Sequence, residues 1–174
     1  VFDVISVERF DAIILISESF KKDEEQTALA KRAHKAGIPV VAVDKRIEHC
    51  INLRYGYQKA FREVMQHMVE YHGYRTINFM GGARGNLYSD ERLQMYQEVL
   101  EEHGIPFEED RVFDGGFWEA PTREAMDQML SSGKPMPRAI VCANDAMALA
   151  VIEYLQEHGY RVPEDVAISG FDGI

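Results

Sequence analysis

A chain of 174 residues, 46% hydrophobic and 28% charged, suits one globular domain or two small lobes and has the composition of an ordinary soluble globular protein. Its formal net charge of −10 and its lack of any Lys/Arg cluster exclude a duplex-binding surface built from these residues, so the acidity reads as solvated helix surface. No apolar run reaches the length of a membrane span, no signal peptide opens the chain, and two cysteines without a Cys-x-x-Cys spacing read as reduced thiols in a cytoplasmic protein with no metal site and no cofactor.

The chain starts at Val1 rather than Met, and it reads as a piece of a longer protein. Asp11 to Ser17 (DAIILIS) is a continuous apolar run, which predicts a strand buried on both faces. Asp23 to Ala36 carries Leu29, Ala30 and Ala33 on one helical stripe and stops at Gly37. Gly37 to Asp44 (GIPVVAVD) is the next buried strand, and Glu48 to Arg54 reads as a link. Tyr57 to His72 predicts a long helix with Phe61, Val64, Met65, Met68 and Val69 on its apolar side, ended by Gly73. Thr76 to Gly82 (TINFMGG) is a strand running into a glycine loop. Ser89 to His103 is a helix with Ser89 as its expected N-cap and Gly104 as its stop. Arg111 to Gly116 is a short strand, Thr122 to Leu130 a helix, and SSGKPMP a turn-rich connector. RAIVCAN, ending at Asn144, is a strand. Asp145 to His158 is a helix capped by Asn144 and stopped by Gly159. Val166 to Ser169 is the last strand.

Strands alternating with helices of this length predict an α/β fold, parallel sheets flanked by helices. In such sheets ligands bind off the carboxyl ends of the strands. Three strand ends offer polar atoms or bare backbone there: TINFMGG, AIVCAND with Asn144 and Asp145, and VAISGFDGI with Asp172. A carboxylate such as Asp172 can accept from two vicinal hydroxyls, as sugars require. Asn144 can cap a helix or meet a ligand with both a donor and an acceptor. Asp145, in the first helical turn, suits the macrodipole and reads as structural. GGARGN (Gly81 to Asn86) lacks the Lys-Ser/Thr of a phosphate loop and the GxGxxG spacing, so it reads as a flexible rim or a close backbone approach. The histidines, His34, His49, His67, His72, His103 and His158, fall in amphipathic helices or near their ends and read as solvated.

Three segments together resemble the LacI/GalR family of transcriptional regulators, which share the type I periplasmic-binding-protein fold. Ile140 to Ile174 (IVCANDAMALAVIEYLQEHGYRVPEDVAISGFDGI) is similar to the family signature throughout. YHGYRTINFMGG followed by ERLQMYQEVLEEHGI, and FDAIILISES with GIPVVAVD, resemble two earlier family segments in the right order. The chain departs from the family where Asn52-Leu53 stands for Asp-Asn. It also departs where QKAFREVMQHMVEYHG makes its helix about one turn longer than usual, and where Gly73-Tyr74 stands for Gly-His.

The resemblance implies a two-lobe core with an incomplete first lobe, residues 1–51 belonging to the first lobe and 52–174 to the second, and an effector bound in the cleft between lobes. It implies ligand contacts from Arg92, Asn144 and Asp172 and from an aromatic, with Phe117 matching the family position better than Trp118. It further implies a sugar or purine-like effector, a homodimer, and operator DNA held by a helix-turn-helix headpiece absent from these residues. Two alternatives stay open: the same sensor joined to a cyclase or kinase output, and a doubly wound sugar-modifying enzyme using Asp145 and Asp172 as an acid/base pair.

Overall fold

The computed structural model describes residues 9–16 and 23–174, which form two compact units, Val1–Gly56 and Tyr57–Ile174. Ser17, the expected end of the first strand, lies outside the described residues.

In the first unit, strands β1 (Ile13–Ile16), β2 (Val40–Val43) and β3 (Ile51–Leu53) make a parallel sheet in the order β1-β2-β3. Helix α1 (Asp23–Lys35) lays Leu29, Ala30 and Ala33 in a core with Leu15, Val40, Ala42 and Ile47. The helix ends in a Schellman motif: Ile38 N–H donates to the Ala33 carbonyl at 2.9 Å and Gly37 N–H to that of His34 at 3.1 Å, with Gly37 at φ +72°.

Two expectations are corrected here. The first strand is not buried on both faces, because Ile14 and Ile16 are exposed and, among the described residues, only one side of the sheet packs on the core. The register aligns Ile14 with Val41 and Ile51, and Ile16 with Val43 and Leu53, so parallel pairing gathers these apolar side chains on the uncovered side. The expected link over Glu48 to Arg54 contains β3. Asn52 fastens it, accepting from Ile47 N–H at 2.8 Å through Oδ1 and donating through Nδ2 to the Ile47 and Cys50 carbonyls at 3.1 Å. The two compact units divide after Gly56.

The second unit holds β4 (Ile77–Gly81), β5 (Val112–Asp114), β6 (Ala139–Cys142) and β7 (Ala167–Ser169), all parallel, in the order β5-β4-β6-β7. Helix α2 (Tyr57–Gln66) packs on α3 (Leu87–Glu102), and α4 (Glu119–Ser131) on α5 (Asp145–Glu157). Every residue of β4 and β6 is buried, as central strands covered on both faces must be. The core runs from Phe61 and Met65 of α2 through Phe79, Tyr96 and Ile140 to Met147, Val151 and Leu155 of α5.

Three helix boundaries differ from the sequence expectation. Asn86, not Ser89, caps α3: its extended backbone (φ −82°, ψ 124°) lets Oδ1 accept from Tyr88 and Ser89 N–H. Ser89 is buried and donates to the Gly82 carbonyl at 3.1 Å. Helix α4 starts at Glu119, with Pro121 in the first turn, where its missing N–H is harmless. The long helix from Tyr57 is α-helical only to Gln66; His67–Tyr71 form a π-helical turn, in which His72 N–H donates to the His67 carbonyl five residues back.

Candidate functional site

The parallel pairing of β4 to β7 sends all four carboxyl ends to one edge of the second unit. The chain leaves β4 toward β5 on one side and leaves β6 toward β7 on the other. The adjacent ends of β4 and β6 therefore form a topological switch point, where such sheets open a crevice. The backbone of Gly81 and Gly82 lies on one side of it, and Asn144 and Asp145 on the other.

Asn144 uses both ends of its amide. Its Oδ1 accepts from Met147 N–H at 2.9 Å as the N-cap of α5, and its Nδ2 donates to the Phe117 carbonyl at 3.2 Å. Phe117 sits at φ +69°, unusual for a non-glycine residue, and its ring covers Gly82. A Cβ built at Gly82 would lie 2.1 Å from that ring, so the glycine is needed for the close approach. Trp118 follows as the residue before α4. Its side chain caps nothing and is 71% exposed, while Phe117 packs on the core.

Asp145 holds the turn after β7. Its Oδ1 accepts from Phe171 N–H at 2.6 Å, and its Oδ2 from Gly173 N–H at 2.5 Å and Ile174 N–H at 2.8 Å. Burial pushes its carboxyl up, but these backbone donors outweigh that and hold it below the usual carboxylate range. Gly170 lies against the same carboxylate, where a Cβ would meet Oδ1 at 1.9 Å. Clamped in this way, the turn leaves Asp172 exposed.

Arg92, in the second turn of α3, is 8% exposed. Its guanidinium lies 4.5 Å from the centre of the Phe171 ring and 5.7 Å from that of Tyr57, a cation–π arrangement over two aromatics. Tyr57 also meets Tyr88 and Phe171 edge-on at 6.0 and 6.1 Å.

The expected residues thus form one connected set. Phe117 bonds to Asn144, Asp145 follows Asn144 and clamps Phe171, Phe171 stacks on Arg92, and Asp172 and Trp118 stand exposed beside them. Sequence reasoning missed Tyr57 and Phe171 as the bed of Arg92, and Asp145 as the clamp. Asp145 falls in the recognised Asn-Asp pair, but its partners lie 26 to 29 residues away.

This unit has two hollows, one beside the glycine loop after β4 and one away from the site. One of about 20 Å³ between Gly82, Arg84, Ser89, Asp90 and Asp114 is close to a single water in size. A shallow one of about 430 Å³, lined by Gln97, Glu101, Gly104, Ile105, Pro106 and Phe107, follows the far end of α3 and contains none of the site residues.

Comparison with known proteins gives a consistent picture. Residues 65–174 match the family described as periplasmic binding protein-like domain. The probable HTH-type transcriptional repressor ExuR of Bacillus subtilis is 26% identical, over 99% of this chain and 51% of its own length. The HTH-type transcriptional repressor PurR of Actinobacillus pleuropneumoniae is also 26% identical, over 99% of this chain and 50% of its own. The chain spans about half the length of these curated relatives. Among solved structures, a sugar-binding transcriptional regulator of the LacI family from Escherichia coli, complexed with phosphate, superposes with a TM-score of 0.80 at 26% identity. That match covers 95% of this chain and 58% of the other.

Proposed function

The chain belongs to the periplasmic binding protein-like domain family, in the form found in LacI-type regulators, and from that premise we propose that it is the effector-sensing part of a bacterial transcriptional regulator. The effector is a sugar or a related polar small molecule, bound at the carboxyl edge of β4 to β7. Asp172 accepts from its hydroxyls, and Trp118 offers an aromatic face to its C–H face. Asn144, Phe117 and Arg92 hold those two groups in place as much as they meet the ligand. Effector binding shifts the population between two states of the core. In the longer protein that shift biases the grip of a helix-turn-helix headpiece on operator DNA, within a cytoplasmic homodimer.

The observation that carries this reading is the Asp145 clamp. Three backbone donors fix the turn Gly170–Ile174 and leave the Asp172 carboxylate exposed at the strand edge. The same clamp weighs against an acid/base enzyme, because the Asp145 oxygens are engaged by N–H groups and the carboxyl is held ionised. A sugar is favoured over a purine by the structural relative described as sugar-binding.

The test is a thermal-shift screen over neutral sugars, sugar phosphates and purines, repeated on Asp172→Ala and Trp118→Ala. Both side chains are exposed, so both variants should melt like the parent. A hit that raises the melting temperature of the parent should be weakened at least about tenfold in each, the scale of about 1.4 kcal/mol of lost contact. A hit that both variants bind as tightly as the parent would place the site elsewhere.

A further inference from the structure

The helix that the sequence makes one turn too long ends in the π turn His67–Tyr71, and that turn brings two imidazoles together. In an α-helix, residues five apart point away from each other, since neighbours on one face lie three or four apart. Here the His72 N–H to His67 carbonyl bond of 3.2 Å closes a wider turn, and the two side chains come to lie on one side. Their Nε2 atoms are 3.1 Å apart. The rings are held by stacked tyrosines, His67 on Tyr71 at 4.9 Å and 10°, His72 on Tyr74 at 5.2 Å and 7°. They stand perpendicular to each other, with centres 4.7 Å apart.

We propose that His67 and His72 form a two-imidazole chelate for a late first-row divalent metal, Cu2+ by preference over Ni2+ and Zn2+. Two nitrogens bound at about 2.0–2.1 Å to one ion, at roughly 90–110° to each other, lie about 2.8–3.4 Å apart, which brackets the observed separation. Imidazole suits all three metals, and the order of intrinsic affinity puts Cu2+ first. The pair is open to solvent, with His67 and His72 both exposed, so water can complete the coordination shell. No group of three or more His, Cys, Asp or Glu among the described residues makes a metal cage. The site is a two-point clamp across the π turn, and Glu70 of the same turn faces away to His103 at 3.0 Å. The metal locks the π turn against relaxing to an α-helix.

The experiment titrates the chain with Cu2+ at pH 8 in a non-coordinating buffer, reading stoichiometry by calorimetry and donor type by electron paramagnetic resonance. One equivalent should bind with hyperfine structure from two equivalent nitrogens, and the Tyr71 and Tyr74 ring signals should broaden first in NMR. His67→Gln and His72→Gln, which keep a polar side chain on this exposed turn, should each lose at least about tenfold in affinity. Removing even a partner of a ligand costs that much. His34→Gln, in the stacked His34–His49 pair of the first unit, should leave this equivalent intact. Affinity within about threefold of the parent in either His67→Gln or His72→Gln, or a one-nitrogen spectrum in the parent, overturns the proposal and leaves the contact an imidazole–imidazole hydrogen bond. Because these readouts do not involve the effector, they stand or fall independently of the sensing role.

Discussion

At the scale of single residues, the two acidic groups of the edge divide the work. Asp172 is exposed, and Asp145 is spent on the backbone of the turn that carries it. Asp145→Asn should therefore cost stability where Asp172→Ala does not, by about 2 kcal/mol, the scale of charge-assisted hydrogen bonds exchanged for weaker ones. The pH dependence has a definite sign. A carboxyl held below its usual range stabilises the fold above the range in which unfolded aspartates titrate, and loses that contribution as pH falls through its lowered folded value. Urea midpoints taken from pH 6 down to pH 2 should fall more steeply for the parent than for Asp145→Asn, and parallel curves would refute the clamp. Arg92 is a different case. The guanidinium that the family resemblance implies as a ligand contact is buried against two aromatic rings, so Arg92→Ala should destabilise the protein as well as disturb the site. The exposed position of Asp172 was legible because a carboxylate after an apolar strand and a glycine is a local pattern. The bed of Arg92 was not, because Tyr57 and Phe171 come from opposite ends of the unit.

At the scale of elements, the loops after β4 and β5 are fitted to each other through Gly82 and the Phe117 ring. Gly82→Ala must push that ring aside, and overpacking of this kind costs about 1–3 kcal/mol. In a Phe117→Ala background the same change should be nearly free, so a double-mutant cycle by urea denaturation should return a coupling of about 1 kcal/mol or more. A coupling near zero would mean that the ring swings away without loss and does not order the loop. Helix ends show why some elements were readable and others not. The stops at Gly37, Gly104 and Gly159 are Schellman motifs made by six consecutive residues, so the glycine alone announces them. The start of α3 is ambiguous in sequence, because Asn86 and Ser89 are both good caps and only the backbone angles choose. Strand β3 was hidden for the opposite reason. Its three residues are all exposed and are held by pairing to β2 and by Asn52, neither of which leaves a periodic apolar signal.

At the scale of the whole molecule, the alternation of strand and helix was enough to name the parallel α/β architecture, since a continuous apolar run such as that of β6 fits a sheet covered on both faces. The same rule misled at β1, where an equally apolar run has one face bare among the described residues. That difference sets how the two units should behave apart. The second unit encloses large side chains from all of its helices, Phe61, Tyr96, Met126 and Leu155 among them. The first relies on Leu15, Leu29, Val40 and Ile47 with three alanines, and it leaves Ile14, Ile16 and Ile51 more than half exposed. A segment of this size is marginal even with a full core, because so little of its surface is removed from water. Residues 57–174 expressed alone should therefore show native-like circular dichroism and one cooperative melt, while residues 1–56 alone should lack a transition and bind a hydrophobic dye through the bare side of β1 to β3. If residues 57–174 instead unfold without cooperativity, the core from Phe61 to Leu155 is not self-sufficient.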